Sequence, residues 1–342
     1  MANLDVLLLK GPPNGDRVNG LEQLRYTVLT DGIPSNSDGL SDVRIYIWLI
    51  LLNVPPLKTD TYLDLVRQGA SPMYVKIRND THRTMTSDLL FRRRVTENSL
   101  TRVLNAMAWK LHDANESRVN GWLSPPTLPL PKSLDGHPDN MFPSPGSINT
   151  RHGRGSVTGT EGSEFGDSAQ VGYVQGMNVL AAPFLYVARS EVEAFAAFDR
   201  FINNEIPGYI RGSMEGVHKG VALVDKILAI VDPKLSAYLL SKSMKAEIYA
   251  FASVTTMCAS TPPLLEVLQL WDFLFAYGPH LNLLCIVAQL VLIRDQILGS
   301  PSPNQFLRSL PPLQAAKIKG LAISFVRKLP DDLYEQIVSH AK

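Results

Sequence analysis

Apolar residues recur along this chain at intervals of three and four, the spacing that puts them on one face of a helix. Leu21, Leu24, Arg25 and Val28 begin such an amphipathic segment, which closes at Gly32. A second, Ser41–Leu52, reads SDVRIYIWLILL, with Ser41 or Asp42 suited to cap its start. TDTYLDLVRQG follows, with Thr59 or Asp60 as the expected cap and Gly69 as the stop. Over 96–113, Leu100, Val103, Leu104, Met107 and Leu111 keep helical spacing, and similar patterns run from Gln175 to the end. Alternating strand patterns between turn dipeptides are scarce, so the expected fold class is all-α.

One stretch departs from this rhythm. More than half of residues 124–168 are Pro, Gly, Ser or Thr, and apolar positions are too sparse to offset the entropy of ordering. It reads as a long flexible insertion inside a domain, tolerable because loop-closure cost grows only logarithmically with length. Its Pro-rich start has the form of an SH3 ligand, although a solvated spacer is the plainer reading. Ser124-Pro125 and Ser144-Pro145 have the form of proline-directed phosphorylation sites; phosphopeptide mapping that finds neither serine modified would remove that idea.

Composition narrows the function classes. Hydrophobic residues make up 45% of the 342, charged residues 19%, and the formal net charge is +1. That balance is globular and gives no global pull toward nucleic acid or an anionic membrane. Cys258 and Cys285 are the two cysteines, both in apolar runs, and are expected as small core residues in a reducing compartment. The longest apolar run, Leu281–Ile293, is interrupted by Asn282 and Gln289 and closed by Arg294. It falls short of the roughly 20 residues of a membrane span and reads as a buried helix. The N-terminal patch Val6–Leu9 lacks the basic flank of a secretory signal, so a cytosolic protein without direct membrane insertion is expected.

Motifs for self-contained chemistry are missing from the sequence. There is no G-x-x-x-x-G-K-[ST] phosphate loop, no G-x-S-x-G elbow and no Cys/His spacing for zinc. Arg92-Arg93-Arg94 has no interleaved aromatics and reads as a solvated helix face, not a nucleic-acid site. No repeat of 33–47 residues supports a solenoid.

Three motifs carry candidate chemistry. In VKIRNDTHRT, Ile77 is spaced to anchor the segment in the core, while Asp80 and Arg83 fall at i,i+3. In a helix or tight turn that spacing lets the carboxylate aim the guanidinium. In VGYVQGMNVL, Gln175 offers a donor and an acceptor, Gly176 lets another backbone approach, and Tyr173 and Met177 suit the core. In VRIYIWLILL, Arg44 and Trp48 at i,i+4 put a cation near an indole face, and a structural role is expected.

In this order the three motifs resemble the TBC domain, a family of GTPase-activating proteins acting mainly on Rab-type GTPases. The likeness covers about residues 20 to 330 and includes LQLWDFLFAYG, Leu268–Gly278, which is similar to the family's C-terminal Trp-Asp segment. It implies a two-subdomain helical fold. The domain would span 21–342 after an N-terminal extension, 1–20. Its N-terminal subdomain, about 21–200, would contain the insertion, and its C-terminal subdomain would be about 201–342. Arg83 resembles the arginine finger and Gln175 the glutamine finger that replaces the GTPase's own water-positioning glutamine. Asp80 resembles the brace, with Ile77, Tyr173, Gly176 and Met177 in support, and Arg44 and Trp48 resemble the scaffold motif. The resemblance implies no catalytic centre and no cofactor of the chain's own, since GTP and Mg²⁺ are held by the partner GTPase. Two departures stand out: the insertion between the fingers is longer than usual, and Phe251 stands near where many members have tryptophan, which bears on C-terminal packing.

NDTHRTM, GYVQGMNVLAAPFLY and LWDFLFAYGPHLN further resemble the fungal mitotic-exit, or septation, checkpoint branch. That likeness implies a Ras-like GTPase as target, a second subunit of the activator, and recruitment to spindle poles by a partner. The competing expectation is a scaffold of the same pathway that binds a GTPase without accelerating it.

Overall fold

The computed structural model describes residues 3–56, 58–119 and 172–342; the expected insertion, with Ser124 and Ser144, lies outside them. Among the described residues every regular element is helical, so the all-α expectation holds. The first half contributes α1 (Asn3–Lys10), α2 (Arg17–Thr30), α3 (Arg44–Leu51), α4 (Thr59–Arg67), α5 (Tyr74–Thr81), α6 (Leu89–Arg94) and α7 (Glu97–Val119). After the undescribed stretch come α8 (Met177–Val187) and α9 (Glu191–Arg200), then the short α10 (Pro207–Ile210) and the long α11 (Glu215–Val231). The chain ends with α12 (Pro233–Ser241), α13 (Ala246–Tyr249), α14 (Phe251–Thr255), α15 (Leu264–Tyr277), α16 (Asn282–Leu292), α17 (Arg294–Gly299), α18 (Asn304–Arg308), α19 (Ala315–Val326) and α20 (Asp331–Ser339). Within the first twenty residues, α1 packs on α2 and buries Leu4.

Several helix starts differ from the sequence expectation. Ser41 and Asp42 do not cap α3, which begins at Arg44 with Val43 in the cap position. The helix thus starts later than expected, at Arg44, whose side chain is buried in the core. Thr59 and Asp60 lie inside the first turn of α4, not before it. Asp88 does cap α6, accepting from the Phe91 N–H at 2.9 Å. Leu281–Ile293 resolves into a short 3-10 turn followed by α16, which is buried along most of its length.

An aromatic cluster occupies the centre. Phe184 on α8 packs edge-on to Trp48 on α3 at 5.6 Å and to Trp271 on α15 at 5.3 Å. Phe275 stacks on Phe184 at 5.9 Å and meets Trp48 edge-on at 5.0 Å. Helix α15 thus packs against α2, α3 and α8, joining late and early parts of the chain.

One ion pair is buried inside this cluster. Arg44 Nε donates to Asp272 Oδ1 at 3.1 Å, and Nη2 donates to Oδ2 at 3.1 Å. Trp48 Nε1 donates to the same Oδ1 at 2.8 Å, and Arg44 Nη1 donates to the Gly39 carbonyl. Arg44 and Trp48 therefore meet through a shared acceptor on α15. Burial pushes the Asp272 carboxyl up, while the charge and hydrogen bonds of Arg44 and the Trp48 donor oppose that. A buried charge is tolerable only when paired and hydrogen-bonded, and every oxygen of Asp272 has a donor.

Arg92, Arg93 and Arg94 are all exposed, in keeping with a solvated face, and Arg94 in addition donates to the carbonyls of Tyr186 and Ala188, tying α6 to the end of α8.

Candidate functional site

Helix α5 ends where the first motif needs a turn. Ile77 is fully buried, anchoring the helix against α7 and α8. After Thr81 the chain tightens, with Arg83 N donating to the Asp80 carbonyl at 3.3 Å and Thr84 N to that of Thr81 at 3.1 Å. This turn carries Arg83 outward. Its side chain is 63% exposed, yet its Nη2 donates at 2.5 Å to Asp80, whose side chain is 5% exposed. The guanidinium is thus held at its base by a buried carboxylate and open at its far end.

The second motif forms the tight turn before α8. Gly176 has φ +105, and a Cβ there would lie 3.1 Å from the Thr255 methyl. Both the backbone conformation and the space explain a glycine after Gln175. Met177 is buried, and its N–H donates to the Val174 carbonyl at 3.1 Å. Gln175 is exposed at the tip of this turn.

The two motifs are bonded to each other. Buried Tyr173 donates from its hydroxyl to Asp80 Oδ2 at 2.8 Å, so Asp80 serves Arg83 with one oxygen and Tyr173 with the other. Asn178, in the first turn of α8, adds hydrogen bonds to both segments.

Arg83 and Gln175 line the same open groove, about 520 Å³, together with Asp80, Gly176 and Asn178. Its opposite wall is Met214, Phe251, Ala252, Thr255 and Thr256. A neighbouring hollow of about 290 Å³ shares Arg83 and Val179 and runs along Thr86–Asp88 toward Ser260 and Leu264. Phe251 therefore belongs to the groove, not only to the C-terminal packing, and its ring lies 6.0 Å from His218. The far wall rests on a built foundation. Met257 and Cys258 take left-handed φ values of 52° and 61°. The Cys258 thiol donates to Asn282 Oδ1 at 3.1 Å and accepts from Gln289 Nε2 at 3.2 Å. Those are the two polar residues that interrupt the longest apolar run. Burial pushes the thiol up to about 12, so it stays protonated and unreactive.

Among the described residues, no group of three or more His, Cys, Asp or Glu side chains is arranged to hold a metal ion. No described helix is long and apolar enough to cross a membrane.

Comparison with known proteins assigns the chain to a family. A family model described as Rab-GTPase-TBC domain matches residues 167–298. Cell division control protein 16 of Schizosaccharomyces pombe is 40% identical over 99% of this chain and 93% of its own length. The chain belongs to the TBC-domain family of GTPase-activating proteins. Mitotic check point protein BUB2 of Saccharomyces cerevisiae is 35% identical over 94% of this TBC chain and 92% of its own. The TBC fold is also that of the Ypt/Rab-GAP domain of Gyp1p, with a TM-score of 0.60 at 15% identity over 90% of this chain and 92% of the other. A Chlamydomonas flagellar RabGAP TBC domain aligns with a TM-score of 0.58 at 15% identity over 98% and 88%.

Sequence reasoning missed two residues, one in the buried frame and one in the groove. Asp272, the acceptor for Arg44 and Trp48, carried a signal: a lone acid in the otherwise apolar LQLWDFLFAYG. Asn178 carried none, because its donors go to Thr84 and Asp80, more than ninety residues earlier in the chain.

Proposed function

We propose that this chain completes the active site of a small Ras- or Rab-like GTPase in trans, with Arg83 and Gln175 as two fingers. The observation that carries this reading is that both side chains line one open groove, on two turns joined through the Asp80 carboxylate. GTP hydrolysis builds charge on the phosphate oxygens, and the attacking water is poorly held in an isolated GTPase. The Arg83 guanidinium, always charged and forked, stabilises that charge, an effect worth about 10³–10⁵ in rate. The Gln175 carboxamide, with donor and acceptor on one plane, holds the water in line. GTP and Mg²⁺ belong to the partner, so the chain needs no cofactor of its own. Ile77 and Met177 root the two turns in the core, while Tyr173, Gly176, Arg44 and Trp48 hold the frame behind them.

The cell-division and mitotic check point names of the relatives support a target in the cell cycle. Within it, the proposal is a mitotic-exit or septation GTPase, with a second activator subunit that recruits the chain to spindle poles. The test is single-turnover GTP hydrolysis by a panel of purified small GTPases, with and without candidate subunits, alongside a binding assay. Arg83→Ala and Gln175→Ala should each lose most of the stimulation and keep binding. Wild-type stimulation by Arg83→Ala would remove the finger assignment, and binding without stimulation by the unmodified chain, with every subunit present, would leave a scaffold.

A further inference from the structure

The residue after each proposed finger is held by the same buried carboxamide. Gly176 follows Gln175, and its N–H donates to Asn178 Oδ1 at 3.2 Å. Thr84 follows Arg83, and its hydroxyl accepts from Asn178 Nδ2 at 2.8 Å. That hydroxyl donates onward to the Asp80 carbonyl at 2.8 Å, and Nδ2 also reaches the same carbonyl at 3.4 Å. The Tyr173 hydroxyl, committed to Asp80 at 2.8 Å, lies 3.4 Å from Asn178 Oδ1. Asn178 and Thr84 are both buried, 6% and 5% exposed.

We propose that Asn178 is a positioning residue that sets the Arg83 turn and the Gln175 turn in register, so that both fingers arrive together. The inference rests on the finger reading above. Its physical content is geometric. The hydrogen bond to Gly176 fixes the peptide plane between Gln175 and Gly176, which is the base of the glutamine side chain. The bond to the Thr84 hydroxyl, which itself donates to the Asp80 carbonyl, pins the side chain of the first residue beyond Arg83 against that turn. The carboxamide has two N–H donors and one acceptor oxygen, and all three are engaged. An aspartate at this place keeps the shape but loses both donors, and it sets a second carboxylate beside the Asp80–Tyr173 pair. Gly176 keeps its acceptor while Thr84 and the Asp80 carbonyl lose their donor, so the two turns no longer share one anchor. A catalytic group misplaced by about 1 Å costs roughly 10² in rate.

The test is single-turnover hydrolysis by the partner GTPase over a range of activator concentrations, for the full chain with any required subunit. Asn178→Asp is expected to lower the rate at saturating activator by roughly 10²-fold, with the half-saturating concentration unchanged. Thr84→Val should lose rate in the same way, and Thr84→Ser, which keeps the hydroxyl, should restore it. In the double variant with Gln175→Ala, Asn178→Asp should add little, because register between two fingers has no effect once one of them is gone. Circular dichroism and melting curves identify folded variants; should Asn178→Asp not fold, Thr84→Val and Thr84→Ser carry the comparison. A wild-type saturating rate in folded Asn178→Asp, a loss confined to half-saturation, or a full multiplicative loss with Gln175→Ala would overturn the proposal. Arg83→Ala in the same assay separates the two claims. If it is inactive while Asn178→Asp is normal, only the positioning role fails; if it is fully active, the finger reading fails first.

Discussion

The Tyr173 hydroxyl donates to the buried carboxylate of Asp80 at 2.8 Å, joining the turn that carries Gln175 to the helix that aims Arg83. Burial pushes the phenol far above its ordinary range, and the hydrogen bond and charge of Asp80 push it further the same way. Tyr173 therefore remains a protonated donor wherever the protein is folded.

Removing that donor isolates one oxygen of a buried carboxylate. Tyr173→Phe should destabilise the fold by about 1–3 kcal/mol, the cost of an unsatisfied buried group. Stimulation of GTP hydrolysis should fall as Asp80 loses its fixed orientation, while GTPase binding persists. Urea denaturation and single-turnover kinetics check both halves, and a variant with unchanged midpoint and rate would show the bond to be dispensable.

Gly176→Ala meets two obstacles at once, a φ of +105 and a Cβ only 3.1 Å from the Thr255 methyl. Backbone strain of this kind costs on the order of 1–3 kcal/mol. The turn should relax by moving Gln175, so stimulation should drop more steeply than the melting temperature. Thr255→Ser in the Gly176→Ala background removes the methyl but leaves the φ strain. Complete recovery in that pair would mean that space, not backbone conformation, demands the glycine.

Asp272 is the counter-charge for Arg44, and removal of one partner of a buried pair costs about 3–5 kcal/mol. Asp272→Leu and Arg44→Met should each approach that loss in chemical denaturation. The double variant Arg44→Met with Asp272→Leu should lose less than the sum, because no unpaired charge remains. Strict additivity would mean that the two residues are not energetically coupled.

Acid should loosen the C-terminal helix. His340 accepts from or donates to the Tyr209 hydroxyl at 2.8 Å through Nε2, and its Nδ1 lies 2.6 Å from the Ile337 carbonyl. A neutral ring satisfies both contacts when Nδ1 donates to the carbonyl and Nε2 accepts from the tyrosine. Burial lowers His340, and burial followed by the nearby His340 and Lys342 lowers His280 from 6.5 to about 4. Between those values the unfolded chain binds more protons than the folded one, so stability falls as pH drops through that window. The melting temperature should decline from pH 6.5 to about 4, and more shallowly in His280→Gln. A flat profile in the unmodified protein would uncouple these rings from folding.

A target-side substitution probes the second finger. If Gln175 takes over the orientation of water, changing the GTPase's own catalytic glutamine to leucine should leave stimulation largely intact. Complete loss of stimulation would restore that task to the GTPase.

Sequence periodicity was enough for the helical class, because burying one face of each segment needs only apolar residues three and four apart. The Asp80–Arg83 contact was legible for a similar reason: its geometry is local. The Arg44–Trp48 pairing was only half legible. Their common face follows from i,i+4 spacing, but their common acceptor lies on α15, which no local rule locates. Asn178 is the extreme case, since its meaning depends on Thr84, a residue in the turn after α5. Cap positions near Ser41 and Thr59 misled because tertiary engagement of Arg44 and the entry of α4 outweigh side-chain capping.

The dependence of Arg44 on Asp272 also orders events during biosynthesis. A ribosome releases both signature turns well before it reaches α15, so a nascent chain holds Arg44 and Trp48 without their counter-ion. Until α15 docks, the frame behind the groove lacks its closing member. A chain whose translation stops early therefore carries every residue of the two motifs and still lacks the carboxylate that closes the frame behind them.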